Sequence, residues 1–254
     1  MSAPFIRLDG VRKVFRVGGK DFTAVQDVTL EIREGELVSI VGPSGCGKST
    51  VLSILADLQT ADGGTVEIGN PSSPFTPGRD IGMVFQKALL LKWRRIIDNV
   101  LLPAEILGLP MKESRERARD LLDLVGLSKF ADAWPQQLSG GMQQRASIAR
   151  ALVHDPRLIL MDEPFGALDA LTRERMNLEL LRIWKESRKT ILFVTHGIQE
   201  AVFLGSQVAV MTSGPARMAA HFDVELPEPR TLDVKTTEQF GSYTRQIYHL
   251  LGLD

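Results

Sequence analysis

Cys46 is the only cysteine in this chain of 254 residues. A lone thiol cannot form an internal disulfide, which excludes a disulfide-stapled scaffold and fits a reducing cytosol. No apolar run approaches the roughly 18–20 residues that cross a bilayer, so no membrane span is expected. The opening Met-Ser-Ala-Pro-Phe-Ile-Arg lacks the basic start and apolar stretch of a secretory signal, and none is expected. Neither sign of charge dominates: 30 Lys and Arg face 31 Asp and Glu, leaving a net charge of −1. That balance gives no electrostatic ground for binding nucleic acid or an anionic membrane surface. Repeats and low-complexity segments are also missing. What is present, 44% hydrophobic and 24% charged residues, is the composition of a globular protein with a sizeable core. The length fits one large α/β domain or two small ones. Any membrane role is expected to be peripheral, through a partner.

Short apolar runs bounded by turn residues organise the chain. Residues 5–8, 25–32 and 66–68 read as an early, mostly antiparallel β region. Residues 37–41 form a nearly continuous apolar strand that runs into a glycine-rich loop, followed by a helix over 48–58 and a strand over 81–85. Residues 99–109 and 113–125 carry apolar side chains at helical spacing, for example Ala118, Leu121, Leu122 and Val125. A helix over 142–153 stops at His154-Asp-Pro156, because proline cannot continue it. A buried strand over 158–161, an amphipathic helix over 172–188 and an apolar strand over 190–195 follow. Alternating strands and helices predict a parallel sheet with its ligand at the strands' C-terminal ends. Beyond Pro215 the pattern weakens; Pro227 and Pro229 suggest a linker, and residues 240–251 a terminal helix.

The segment Gly42-Pro-Ser-Gly-Cys-Gly-Lys-Ser-Thr50 matches the P-loop pattern G-x-x-x-x-G-K-[ST]. Its glycines let the backbone N–H groups of Gly42, Ser44, Gly45, Cys46 and Gly47 surround phosphate at a helix N-terminus, with Pro43 shaping the loop and Thr50 in the first turn. Lys48 supplies charge for the β- and γ-phosphates, and the Ser49 hydroxyl is a candidate Mg²⁺ ligand. Leu158-Ile-Leu-Met-Asp162-Glu163 is an apolar strand ending in two carboxylates. An acidic strand end can simply be solvated; with a P-loop in the same chain, Asp162 reads as a Mg²⁺ holder through water and Glu163 as the base that polarises attacking water. His196 after one strand and Gln86 after another are each weak signals alone, since a lone histidine is usually structural. Both stand where a parallel sheet presents its ligand, and Gln86 could touch both Mg²⁺ and water. Leu138-Ser-Gly-Gly-Met-Gln-Gln-Arg145 is a glycine turn leading into a helix start, a second anion site. Two such sites with one P-loop suggest that each nucleotide is held between two copies of the chain.

Together, and in this order, these residues resemble the nucleotide-binding subunit of ABC transporters, over nearly the whole chain to about residue 215. The resemblance implies an α/β P-loop NTPase of the ABC ATPase fold, with an antiparallel β subdomain and a helical subdomain. Residues 1–86 and 156–214 would form the ATP-binding core, 87–155 the helical subdomain with the signature motif, and 215–254 a C-terminal extension. It implies ATP and Mg²⁺ as ligands, Phe15 as the aromatic that stacks on adenine, and Ser139, Gly140 and Gly141 as the signature that meets the γ-phosphate of the opposite subunit. Gly166-Ala-Leu-Asp169 matches the D-loop, Gln86 the Q-loop, His196 the switch histidine and Glu163 the catalytic base, with Lys48 beside them. Phe85-Gln-Lys-Ala-Leu-Leu-Leu-Lys-Trp93, Asp98-Asn-Val100 and Thr195-His-Gly-Ile-Gln-Glu-Ala-Val-Phe-Leu204 are similar to the importer ATPases for nitrate, sulfonates and taurine. Expected partners are a transmembrane permease, a second copy of the chain and, indirectly, an external solute-binding protein, with no nucleic acid. The expected place is the cytoplasmic side of the cell membrane. The competing reading is a soluble ABC ATPase of repair, translation or cluster assembly; one cassette, no heptad run and a slightly acidic balance weigh against it. Four departures from the importer pattern stand out: Lys92 for proline, Asp57 for glycine, Gly197 for an acidic residue, and Gly205-Ser-Gln207 for an Ala-Asp-Arg-like run.

Overall fold

A computed structural model describes residues 4–69, 74–166 and 168–253. Its chain divides into two compact units, one made of segments 1–75 and 190–254, the other of 76–189. In chain order the first unit begins with β1 (Ile6–Val17), β2 (Lys20–Ile32), β3 (Leu37–Val41), α1 (Lys48–Leu55) and β4 (Gly63–Ile68). The second unit holds α2 (Pro77–Asp80), β5 (Ile81–Val84), α3 (Ile96–Ile106), α4 (Met111–Leu124), α5 (Gly140–Leu152), β6 (Leu158–Asp162) and α6 (Ala170–Ser187). The chain then returns to the first unit with β7 (Thr190–Thr195), α7 (Ile198–Leu204), β8 (Gln207–Met211), β9 (Ala216–Asp223) and α8 (Glu238–Leu250).

In the first unit the strands follow the order β4-β1-β2-β9-β8-β3-β7. β1 pairs antiparallel with both β2 and β4, as the alternating apolar residues of the N-terminal region predict. β3 lies between β7 and β8 and is parallel to both. Its five residues are all buried, as are the six of β7, which is why both read as continuous apolar runs. β9 was not expected. It pairs antiparallel with β8 and parallel with β2, so a strand of the C-terminal 40 residues joins the antiparallel and parallel parts of this sheet. The stretch 224–237 then leads to α8, whose N-cap Thr237 accepts the Phe240 N–H at 3.3 Å.

α1 ends three residues earlier than its sequence suggests. Asp57 stands at φ 57°, in the left-handed region, so the helix cannot continue. Asp57 N–H reaches the Ile54 carbonyl at 3.0 Å and Leu58 N–H the Ser53 carbonyl at 2.9 Å, a Schellman closure in which glycine is the usual left-handed residue.

In the second unit β5 and β6 are parallel, with Val84 opposite Met161. α5 packs on β5, α3 and α4. Gly82 permits the approach of α5, for a Cβ there would lie 2.1 Å from the Ala151 carbonyl oxygen. α4 buries Ala118, Leu121 and Leu122 and turns Arg115, Glu116, Arg119 and Asp120 to solvent. Each fully buried Leu or Ile contributes about 1.5–3 kcal/mol, so these apolar faces hold the helices in place.

Candidate functional site

In the first unit the glycine loop leaves β3 at its C-terminal end and feeds α1. Gly47 has φ 105°, and a Cβ there would lie 2.7 Å from the Ala24 carbonyl oxygen. No other residue fits. Gly42 is equally restricted, with the Met211 carbonyl oxygen 2.4 Å from its Cβ position. Lys48 is 4% exposed, and its ammonium donates to the carbonyls of Gly42 at 2.8 Å and Pro43 at 2.9 Å. Its charge is thereby held inside the curve of the loop. Ser44, Gly45 and Ser49 are exposed, while Cys46 is buried and belongs to the packing beneath the loop.

β7 runs beside β3 with Thr195 opposite Val41. The next residue on each strand is therefore His196 and Gly42, so the histidine and the phosphate loop emerge side by side from one end of the sheet. His196 is exposed. The Thr195 hydroxyl donates to the Glu200 carboxylate at 2.5 Å and accepts the Gly197 N–H at 2.9 Å, closing the turn behind the histidine. Gly197 at the N-cap of α7 offers no side chain, and this Thr195–Glu200 pair stands where an acidic cap is common.

Phe15 lies on β1 opposite Phe22. The Lys13 ammonium sits 5.7 Å from the Phe15 ring centroid and pairs with Asp62 at 3.1 Å. Asp62 also accepts the Val14 N–H at 2.7 Å. That backbone hydrogen bond, with Lys13 second, holds the Asp62 carboxyl below its ordinary range. Asp62 thus staples the irregular part of β1 just before Phe15. A cavity of about 380 Å³ is lined by Lys13, Phe15, Asp57, Leu58, Gln59 and Thr60.

In the second unit, β6 buries Leu158–Met161 and leaves Asp162 half-buried at its tip. Glu163 has φ 44°, a left-handed backbone that costs a non-glycine residue about 1–3 kcal/mol and is commonest where a side chain must be aimed. Because β5 and β6 are in register, Gln86 emerges level with Glu163, and its amide donates to the carboxylate at 3.5 Å. The two side chains assigned to water and Mg²⁺ are therefore brought together.

Ser139 caps α5: its hydroxyl oxygen accepts the Met142 N–H at 3.3 Å, leaving the hydroxyl proton to donate outward. Ser139 and Gly140 are exposed. Gly141 faces α6, with the Thr172 methyl 3.2 Å from its Cβ position. Asp169 caps α6 and accepts the Thr172 N–H at 3.0 Å; Thr172, through hydroxyl and then backbone, lowers its carboxyl. Ala167 of the D-loop segment lies outside the described residues. A cavity of about 460 Å³ is lined by Ser139, Gly141, Met142, Arg145, Thr172 and Arg175, placing the signature turn beside the start of α6.

Magnesium demands few protein ligands beside phosphate and water oxygens. The exposed Ser49 hydroxyl of the first unit and, in the second, the Gln86 amide oxygen and the half-buried Asp162 carboxylate are each hard oxygen donors of the kind this ion accepts.

Three supporting residues escape a reading of the sequence. Gln144 is buried in α5 and donates to the Phe85 carbonyl at 2.9 Å, tying the signature helix to the start of the Q-loop. Arg150 donates to the carbonyls of Ala88 and Leu89 at 2.7 and 2.8 Å. Asn99, fully buried, accepts the Leu91 N–H at 2.6 Å and donates to the carbonyls of Leu91, Arg94 and Arg95. Their one signal is a polar residue interrupting an apolar helical face.

Residues 25–166 match the family model described as ABC transporter. An uncharacterized ABC transporter ATP-binding protein of Methanocaldococcus jannaschii is 42% identical over 246 residues, covering 97% of this chain and 91% of the relative. The taurine import ATP-binding protein TauB of Rhizobium johnstonii is 44% identical over 238 residues, 92% of this chain and 90% of the relative. A dimeric bacterial ABC transporter cassette superposes with a TM-score of 0.75 at 36% identity, covering 87% of this chain and 99% of that one. Its post-hydrolysis dimer bound to ADP and Pi gives 0.74 at 34% identity, with the same coverage of 87% and 99%.

Proposed function

This chain belongs to the ABC transporter ATP-binding family and is an ATPase with the ABC cassette fold, and we propose that it is the ATP-hydrolysing subunit of an importer. Its cargo in this reading is a small anionic solute of the nitrate, sulfonate or taurine type. Support for import comes from the taurine import relatives, three of which are 44% identical to this chain. Among the described residues no helix is long and apolar enough to cross a membrane; in this reading a partner permease forms the solute's path. The subunit would sit on that permease at the cytoplasmic side of the membrane, and a solute-binding protein outside would deliver cargo.

The observation that carries the chemistry is the register of β3 and β7, which sets His196 beside the phosphate loop. In the proposed cycle the loop N–H groups, Lys48 and Thr50 hold the β- and γ-phosphates of ATP, and Phe15 stacks on the adenine. Ser49, Gln86 and Asp162 would hold Mg²⁺, which when bound would screen phosphate charge. Glu163 accepts a proton from the attacking water, and His196 contacts the γ-phosphate. Ser139–Gly141 of a second copy donate to the same phosphate from the start of their α5, and Asp169 lies at the contact between copies. Such preorganised donors are typically worth about 2.7–4 kcal/mol each in the transition state. Loss of the γ-phosphate removes the bridge, the pair opens, and the docked permease moves.

Two substitutions test the roles. Glu163→Gln should accumulate an ATP-bound dimer on size exclusion, since the binding groups survive while the base is lost; fast turnover in that variant refutes the assignment. Ser139→Arg should abolish hydrolysis and leave ATP affinity within about twofold. A collapse of affinity would show that Ser139 serves its own chain's nucleotide.

A further inference from the structure

Residues 224–240 take no part in this chemistry, yet they grip the helix that follows His196. α7 begins two residues after His196 and is clamped at both ends. At its start, the Thr195–Glu200–Gly197 hydrogen bonds tie the first turn to the strand end that presents the histidine. At its far end lies Arg230, whose side chain is 4% exposed. One terminal nitrogen donates to the carbonyls of Phe203 at 2.9 Å and Gly205 at 2.8 Å, the other to Val224 at 3.2 Å. Its ε nitrogen is 3.2 Å from the Glu228 carboxylate. A guanidinium is a rigid planar fork, and here it spans the carbonyls that a helix end leaves without a partner. The Lys235 ammonium adds a second cation from the same segment, 4.6 Å from the Phe203 ring centroid.

The run Gly205-Ser-Gln207, where the importer pattern differs, is bound at every residue either to this segment or to the end of β9 that leads into it. The Gly205 carbonyl accepts from Arg230, and the Ser206 carbonyl accepts the Val224 N–H at 2.8 Å. Gln207 donates to Asp223 at 2.8 Å and meets His221 at 2.9 Å. A Cβ at position 205 would lie 2.4 Å from the Gln207 carbonyl oxygen and 2.9 Å from the Ser39 hydroxyl. The departure and the C-terminal segment are thus parts of one arrangement.

We propose that Arg230 is a positioning residue for ATP hydrolysis, fixing the end of α7 and through it the presentation of His196. The proposal rests on the reading of His196 as the group that contacts the γ-phosphate. α7 has only seven residues, too few to hold its own geometry without tertiary clamps. Without Arg230 three carbonyls lose their donor, the last turn of α7 loosens, and the histidine loses its fixed angle. A merely stabilising strut would lower the unfolding temperature and leave turnover alone.

The test uses the full-length chain with Mg²⁺ and saturating ATP, comparing Arg230→Met, Arg230→Lys, His196→Ala and the double variant Arg230→Met/His196→Ala. Circular dichroism establishes that each is folded at the assay temperature. Arg230→Met should lower kcat about tenfold with KM for ATP within about twofold, and Arg230→Lys should recover part of the loss. In the His196→Ala background, Arg230→Met should have no further effect, because both act through one group. Unchanged kcat in folded Arg230→Met, or effects that multiply, overturns the proposal. Unchanged kcat in His196→Ala removes the histidine's role itself, and the proposal with it. Should the Arg230 variants not fold, Lys235→Ala decides: a kcat about threefold lower, silent in the His196→Ala background, supports the brace, and an unchanged kcat overturns it.

Discussion

Asp155 shows what one side chain holds together in the second unit. Its carboxylate pairs with Arg117 of α4 at 2.8 Å and with Lys189 at 2.9 Å. Burial pushes its carboxyl up, but the hydrogen bond from Lys189 and the charge of Arg117 outweigh that, and it lies below its ordinary range. A depressed carboxyl contributes stability above the unfolded value near 3.9, and that contribution fades as pH falls through the folded value. Asp155 also has φ 59°, which asparagine tolerates, so Asp155→Asn removes charge without new backbone strain. The variant should lose about 0.5–1 kcal/mol at neutral pH, since both pairs are partly exposed. Urea unfolding should show that difference at pH 7 and a progressive loss of it as pH falls below about 3.9, the unfolded value. The residues proposed for the chemistry are readable because loop, carboxylate pair and histidine each stand at the end of an apolar strand. Gln144, Arg150 and Asn99 are not, since a polar residue in a helix has the same letter whether it faces water or a carbonyl.

Among the elements, α1 carries the clearest test. Asp57 occupies the left-handed position of a Schellman closure, where a Cβ is penalised. Asp57→Gly should therefore raise stability by about 0.5–1 kcal/mol, seen as a higher unfolding temperature with ATP affinity unchanged. A lower unfolding temperature would mean that the Asp57 side chain makes a stabilising contact. Two buried parallel strands are legible almost to the residue: β7 is read as 190–195, and β6 extends its apolar run by Asp162 alone, whereas β8, buried throughout and parallel to β3, is not read at all. β9 is not legible. Ala216-Arg-Met-Ala-Ala-His-Phe-Asp223 shows no clean alternation, and its partner β2 lies about 190 residues away in sequence, beyond any local pattern. α7 is overlooked for a different reason, as seven residues are too few to display a helical period.

On the scale of the whole molecule, two histidines, the half-buried His154 and the more exposed His221, contribute to the response to acid. Burial lowers His154, whose ring meets the Ile81 carbonyl at 3.0 Å, and likewise lowers His221 beside Gln207. Folded, both take up a proton only at lower pH than the value near 6.5 that holds in the unfolded chain, so the unfolded state binds more protons as pH falls. Their contribution is complete above that value and is lost below it. The unfolding temperature should therefore drop between about pH 7.5 and pH 5.5, and His221→Gln should flatten the drop. A pH-independent unfolding temperature over that range would show that the fold lowers neither ring.

The largest-scale claim is that one chain lacks a complete hydrolytic centre, because the signature turn serves the nucleotide of another copy. Specific ATPase activity measured against protein concentration, with the monomer–dimer ratio followed by analytical ultracentrifugation, tests it directly. Activity per chain should rise with the fraction of dimer and approach zero where only monomers sediment. A rate per chain that stays constant down to fully monomeric protein would contradict the account.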